Sequence, residues 1–175
     1  MRIRAAALLL GAAALYGADL PFPADYRQWV WLSSGLGMSY SAEPMGGEPS
    51  FDNVFAARSA YEGFLRTGTW PNGTVLVLEI RSSQSHGSIN RAGHFQTELQ
   101  AIEGEVKDSA GRWTFYSFGD KPAPGTPFPR TAACYSCHAQ NAAVDNTFVQ
   151  FYPTLLEVAK QKKTVRVTPP EQAAR

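Results

Sequence analysis

The alternation of apolar and polar positions predicts several short β-strands separated by tight turns. The clearest is the run Thr-Val-Leu-Val-Leu-Glu-Ile at residues 74–80, which follows the turn signal Pro-Asn-Gly at residues 71–73. The other predicted strands cover residues 51–56, 94–106 and 112–118. In the strand 94–106 side chains alternate between the two faces, so Leu99, Ala101 and Glu103 are expected to share one face.

Apolar residues recur with helical spacing in three segments, at residues 25–32, 60–66 and 152–162. The first is expected to form a short helix that leads into a strand. Between Asp120 and Pro129, four prolines exclude regular structure. Because helices flank a run of strands joined by turns, the sequence predicts an α+β fold with a mainly antiparallel β-sheet and a few flanking helices.

The first residues indicate export rather than a part of the folded domain. Arg2 and Arg4 precede an apolar run at residues 5–15, which is too short to span a bilayer. This arrangement is typical of a secretory signal peptide, and an uncleaved membrane anchor is the alternative. We therefore expect a signal peptide at residues 1–18 and a single domain at residues 19–175.

Composition and charge exclude one class of partner. The 175 residues, of which 44% are hydrophobic and 12% aromatic, are enough to build one well-filled core. The 16 Lys and Arg residues nearly balance the 15 Asp and Glu residues, and they are scattered along the chain. Since no basic stripe is formed, nucleic acid is not an expected partner.

The only two cysteines carry the most specific chemical signal. They stand in Cys134-Tyr-Ser-Cys137-His138, which matches the C-x-x-C-H attachment sequence for c-type haem. In that chemistry the two thiols add to the vinyl groups of the porphyrin, and the histidine ligates the iron, usually through Nε2. The sequence therefore predicts one covalently attached haem c in the C-terminal part of the chain, with His138 as the iron ligand. Export agrees with this, because such attachment belongs to the bacterial periplasm.

Three other uses of the cysteines remain as alternatives. A thioredoxin-type redox pair is normally placed in a βαβ unit, which this strand-rich pattern does not offer. A structural zinc site would need His86 or His94 as its fourth ligand. A plain structural disulfide would account for both cysteines but would leave His138 unexplained.

A second protein ligand to the iron would indicate an electron carrier. The candidates are Met38, Met45, His86 and His94. No methionine follows the haem motif, as it does in small electron-transfer cytochromes. We therefore expect an iron that is five-coordinate or carries a water molecule.

Six segments together resemble a known family over nearly the whole of residues 19–175. They are PADYRQWV at 23–30, TGTWPNGT at 67–74, EGEVKDS at 103–109, WTFYSF at 113–118, CYSCHAQN at 134–141 and FVQFYP at 148–153. The chain resembles the cytochrome P-460 and cytochrome c′-beta family. The resemblance implies a homodimer, a sheet-dominated fold, a C-terminal c-type haem, and a proximal histidine opposite an open or water-bearing distal site.

The resemblance also assigns distal residues that distinguish two branches of the family. The hydroxylamine-oxidising branch has a lysine bonded to the haem macrocycle, and that position falls on Leu78; no lysine precedes Lys107. The distal carboxylate of that branch, which takes protons from the substrate, falls on Glu103. The alternative is that Glu103 is a solvent-exposed carboxylate on a strand. The distal arginine of the same branch falls on Asp52, and Phe55 is a candidate for the aromatic lid of the c′-beta branch.

These positions imply a periplasmic protein of the c′-beta kind that binds nitric oxide or a similar small gas. The alternative is an oxidoreductase that oxidises hydroxylamine or nitric oxide and passes electrons to a soluble cytochrome, with Glu103 as proton acceptor. A simple electron carrier is a third alternative.

Overall fold

The computed structural model describes residues 19–39 and 46–166. The predicted signal peptide at residues 1–18 and the candidate ligand Met45 lie outside these ranges. None of the helices in the described ranges is long and apolar enough to cross a membrane.

Within the described residues the strands form one antiparallel sheet, in which each strand pairs with the next along the chain. They are β1 (Val30–Leu36), β2 (Phe51–Ala56), β3 (Val75–Gln84), β4 (Phe95–Lys107), β5 (Trp113–Gly119) and β6 (Thr126–Pro127). The α-helices are α1 (Arg58–Thr67), α2 (Ala133–Asn141) and α3 (Pro153–Lys162), and short 3₁₀ turns cover Tyr26–Gln28 and Val149–Phe151. The predicted α+β fold is confirmed.

Two of the predicted elements differ from the structure. The helix expected at residues 25–32 is only a 3₁₀ turn, because the chain is drawn into the sheet from Val30, which pairs with Ala56. The proline-rich segment contains the two-residue strand β6, in which Pro127 pairs with Tyr116. An edge strand accepts proline because the missing N–H is not needed on its free side.

A register shift in β4 also corrects the expected grouping of Leu99 with Glu103. The pairing with β3 passes from Ile80–Ala101 to Arg81–Leu99, so one extra residue, Gln100, lies on β4. Such a bulge reverses the alternation of faces. Leu99 therefore packs with the residues around Tyr26, on the opposite face from Glu103.

The two faces of the sheet bury different clusters. On the front face, Leu76 packs with Phe64 of α1 and Leu155 of α3. On the back face, the neighbouring Val77 packs with Tyr26. Because successive residues of a strand point to opposite faces, β3 contributes side chains to both clusters. The helices cover only part of the front face, and the remainder forms one wall of a cavity.

Candidate functional site

Helix α2 brings the three motif residues together. Cys134, Cys137 and His138 stand at spacings of three and four residues on this helix, so they lie on one side of it. All three line a cavity of about 640 Å³ between α2 and the front of the sheet. Both cysteines are free thiols and are partly buried. The helix thus places the two thiols and the imidazole together at the cavity.

The cavity is lined mainly by apolar side chains, together with a few acidic ones. The apolar residues include Val54, Leu76, Leu78, Phe115, Phe148 and Phe151, and the acidic residues are Asp52, Glu103 and Glu105. Among the described residues that line it, none is Lys or Arg. The cavity therefore offers a large apolar surface without a local positive charge.

His138 is held in one tautomer. Its Nδ1 lies 2.7 Å from the backbone oxygen of Asn146, and since a carbonyl can only accept, Nδ1 carries the proton. This leaves Nε2 with a lone pair, which is the form that binds a metal. The ring lies between Phe115 and Phe148, with centroid distances of 4.5 and 4.4 Å. Burial lowers the pKa of His138, which favours the neutral imidazole.

Glu105 lies on the Nδ1 side of the same imidazole. Its Oε2 atom is 3.6 Å from His138 Nδ1, too far for a hydrogen bond, and has no hydrogen-bond partner among the described residues. Burial, with a smaller contribution from Asp145, raises the pKa of Glu105 to about 8. The group therefore favours the neutral acid at neutral pH, because an ionised carboxylate would be costly there.

The structure brings Leu78 and Glu103 into the cavity. Val54 pairs with Leu78 across β2 and β3, and Leu78 pairs with Glu103 across β3 and β4, so the three form one row. Burial raises the pKa of Glu103, and the charge of Asp52 adds to the effect. Burial also raises the pKa of Asp52. The carboxyl groups of Asp52 and Glu103 are thus partly shielded from solvent.

Phe55 does not line the cavity. It pairs with Val77 on the back face, where its ring meets that of Tyr26 edge to face at 5.6 Å. The lid assignment of Phe55 is therefore corrected, since the alternation of β2 turns this side chain away while Val54 faces the cavity. The aromatic residues that do line the cavity are Phe115, Phe148, Phe151 and Tyr152, and the sequence analysis assigned none of them a role there. The feature of the sequence that could have indicated Phe148 and Phe151 is their position shortly after the C-x-x-C-H motif.

The candidate sixth ligands are separated by the fold. Met38 lines the cavity, whereas His86 and His94 do not. Met38 reaches over Gly35, where a Cβ atom would lie only 2.4 Å from the Met38 sulfur, so this approach requires glycine. His94 Nε2 lies 2.8 Å from Glu48. The described residues contain no group of three or more His, Cys, Asp or Glu that could hold a metal ion by themselves.

The residues present fit a c-type haem. Two free thiols stand one helical turn apart, an imidazole next to the second presents Nε2, and a wide apolar cavity opens beside them. Asn146 and Glu105, which surround the other imidazole nitrogen, were missed in the sequence because neither is near His138 in a recognisable motif.

A comparison with protein families agrees with this arrangement. The family model described as Cytochrome P460 matches residues 23–149. The match includes all six strands of the sheet together with α1 and α2. No curated protein was found to match the chain.

Proposed function

Because the chain belongs to the cytochrome P460 family, we propose that it is a periplasmic c-type haem protein of the c′-beta kind, which binds nitric oxide or a similar small gas. Family membership indicates a haem cofactor. Leu78 is the observation that carries the choice of subtype: an apolar side chain in the cavity stands where the resemblance places the crosslinking lysine.

Three residues of α2 would hold the cofactor. Cys134 and Cys137 would form the two thioether bonds, and His138 would bind the iron through Nε2, the nitrogen left free by the hydrogen bond to Asn146. A haem held by these residues would supply an iron that can bind a small ligand. Phe115 and Phe148 keep the imidazole in place between their rings.

The lining of the cavity favours small uncharged ligands. Leu78 and Val54 present apolar surface, and no Lys or Arg among the described lining residues offers a charge to an anion. Asp52 and Glu103, when ionised, would repel an anion. Nitric oxide and carbon monoxide are neutral, so they avoid the cost of placing a bare charge in this cavity.

A second candidate function is supported by Glu103. It lines the cavity with His138, and its pKa is raised by burial and by the charge of Asp52. A carboxyl group whose pKa is moved towards neutrality is better suited to take up and release protons. The second proposal is therefore an oxidoreductase that oxidises hydroxylamine or nitric oxide and passes the electrons to a soluble cytochrome.

The absorption spectrum of the purified ferrous protein, recorded with and without nitric oxide, tests the first proposal. We expect a marked change on addition of nitric oxide and little reduction of an artificial electron acceptor when hydroxylamine is supplied. Rapid turnover of hydroxylamine that is lost in Glu103→Gln would favour the oxidoreductase instead. The same preparation should elute as a homodimer in size-exclusion chromatography, as the family resemblance implies.

A further inference from the structure

We propose that Lys107 and Asp145 are positioning residues for the haem iron's histidine: their ion pair fixes the turn whose carbonyl binds His138 and so tunes the iron–histidine bond. The inference rests on the proposed function only in that it requires a haem iron bound at His138. It concerns residues outside the C-x-x-C-H motif.

The ion pair is short and mostly shielded from water. Lys107 Nζ lies 2.6 Å from Asp145 Oδ2, and the two side chains are only 11% and 21% exposed. The same Nζ donates to the backbone oxygen of Trp70 at 2.7 Å. A buried ammonium group needs such partners. Because Lys107 ends β4, the pair ties Asp145 to the end of a sheet strand.

Asp145 begins the tight turn that presents the carbonyl. Val144 and Thr147 exchange both backbone hydrogen bonds, at 2.8 and 3.3 Å, around Asp145 and Asn146. These two central residues have φ values of 51° and 59°. Consecutive left-handed residues of this kind form a type I′ turn, which Asp and Asn tolerate better than most residues. The Asn146 carbonyl of this turn accepts the His138 Nδ1 proton at 2.7 Å.

The turn is held at a second point, so its orientation has few alternatives. The indole Nε1 of Trp70 donates to Thr147 Oγ1 at 2.8 Å, and both residues are fully buried. Lys107 therefore holds the start of the turn, while Trp70 holds its end. A continuous set of contacts runs from β4 through Lys107 and Asp145 to the Asn146 carbonyl and the imidazole.

The strength of the imidazole hydrogen bond affects the iron. Donation from Nδ1–H makes the other ring nitrogen more basic, which strengthens its bond to the metal and favours the ferric form. A loosened turn would weaken this donation. The expected consequences are a weaker iron–histidine bond and a higher reduction potential.

The test compares matched variants of the haem-loaded protein. Asp145→Asn keeps the size of the side chain and its tolerance of a positive φ, but removes the charge. Lys107→Met removes the charge from the other side, and Lys107→Arg retains it. Glu157→Gln is the control, since Glu157 and Lys160 form an exposed ion pair on α3. The readouts are the iron–histidine stretching frequency of the ferrous form and the midpoint potential.

We expect D145N and K107M each to lower the frequency and to raise the potential, while K107R and E157Q resemble the wild type. The double variant K107M/D145N should shift no further than the larger single shift, because both changes break one contact.

Wild-type frequency and potential in both D145N and K107M would overturn the inference, even if both variants melted at lower temperature, since the pair would then be merely structural. If attached haem fails to bind nitric oxide in the wild type, the proposed gas-binding function is wrong, but shifted frequencies in the variants would still support the inference. A wild-type protein without haem at His138 would overturn both.

Discussion

Leu78 and Glu103 are direct partners in the ladder between β3 and β4, and both line the cavity that contains His138. Cβ atoms of such partners lie about 4.5–5.5 Å apart in an antiparallel sheet. The position at which the resemblance places the crosslinking lysine therefore lies beside the candidate proton acceptor. An apolar neighbour agrees with the burial that raises the pKa of Glu103.

The first prediction concerns the spectrum that follows from Leu78. Leucine has no atom that can bond to the porphyrin, so we expect a spectrum of ordinary c type, without the red-shifted ferrous band of the crosslinked family, and little hydroxylamine oxidation. Leu78→Lys should restore the red-shifted band in part, and Leu78→Met, of similar volume, should not. The red-shifted band in the unmodified protein would mean that a different residue makes the crosslink.

The second prediction concerns covalent attachment at Cys134 and Cys137. The haem should stay with the polypeptide after acid-acetone extraction, and intact mass should increase by one haem. A double Cys→Ser variant should lose the colour on extraction, since no thioether can form. Ser136→Ala is a suitable control, because Ser136 lies between the cysteines and lines the same cavity. Complete loss of colour from the wild type would contradict the attachment.

The third prediction concerns the distal ligand. The ferrous protein should be high-spin and should bind carbon monoxide readily, since neither His86 nor His94 lines the cavity. Met38 does line the cavity, so Met38→Ala distinguishes an iron without a second protein ligand from an iron bound by Met38. The substitution should leave the spin state unchanged. A low-spin wild type that refuses carbon monoxide and becomes high-spin in M38A would identify Met38 as an axial ligand and favour an electron carrier.

The sequence could identify those residues of the candidate site that are close together along the chain. Cys134, Cys137 and His138 lie within five residues, so a single helical turn brings them together without further information. Leu78 and Glu103 could be placed by resemblance, because Leu78 lies on the clearly patterned strand β3 and Glu103 lies within a matching segment on its partner strand β4. The error at Phe55 arose because the sequence did not show which face of β2 meets the haem motif.

Long-range contacts could not be predicted in the same way. The extra residue Gln100 reverses the alternation of β4, and no local pattern marks it. The pairing of Lys107 with Asp145 joins residues 38 positions apart. Such contacts depend on the three-dimensional path of the loop after α2, which periodicity does not encode.

The last prediction concerns Glu79, on the back face of the sheet. This carboxylate is 4% exposed and accepts hydrogen bonds from Tyr26, Arg27 and Arg81, with Arg81 Nε at 2.6 Å and Arg27 Nε at 2.9 Å. Burial alone would raise the pKa of Glu79, but the hydrogen bonds from Arg81, Tyr26 and Arg27 outweigh it and lower the pKa from 4.5 to about 2. The folded state therefore favours the ionised form more than the unfolded chain does.

A lowered pKa stabilises the fold above the unfolded value of 4.5, and this contribution is lost as the pH falls towards about 2. Glu79→Gln should therefore lower the free energy of unfolding at pH 7 by on the order of 2 kcal/mol, a figure reduced for the solvent exposure of Arg27. The difference from wild type should shrink between pH 4.5 and 2. Urea unfolding followed by circular dichroism measures both effects in the haem-loaded protein.

The exposed Glu157 provides the control for this experiment, because its partner Lys160 lies in solvent and the pair contributes little. Glu157→Gln should change the free energy of unfolding by well under about 1 kcal/mol at any pH. If E79Q changes the free energy of unfolding at pH 7 as little as E157Q does, the two arginines do not stabilise the carboxylate beyond the cost of burying it. If E79Q is destabilising by the same amount at pH 2.5 and pH 7, its effect comes from lost packing and not from the charge of Glu79.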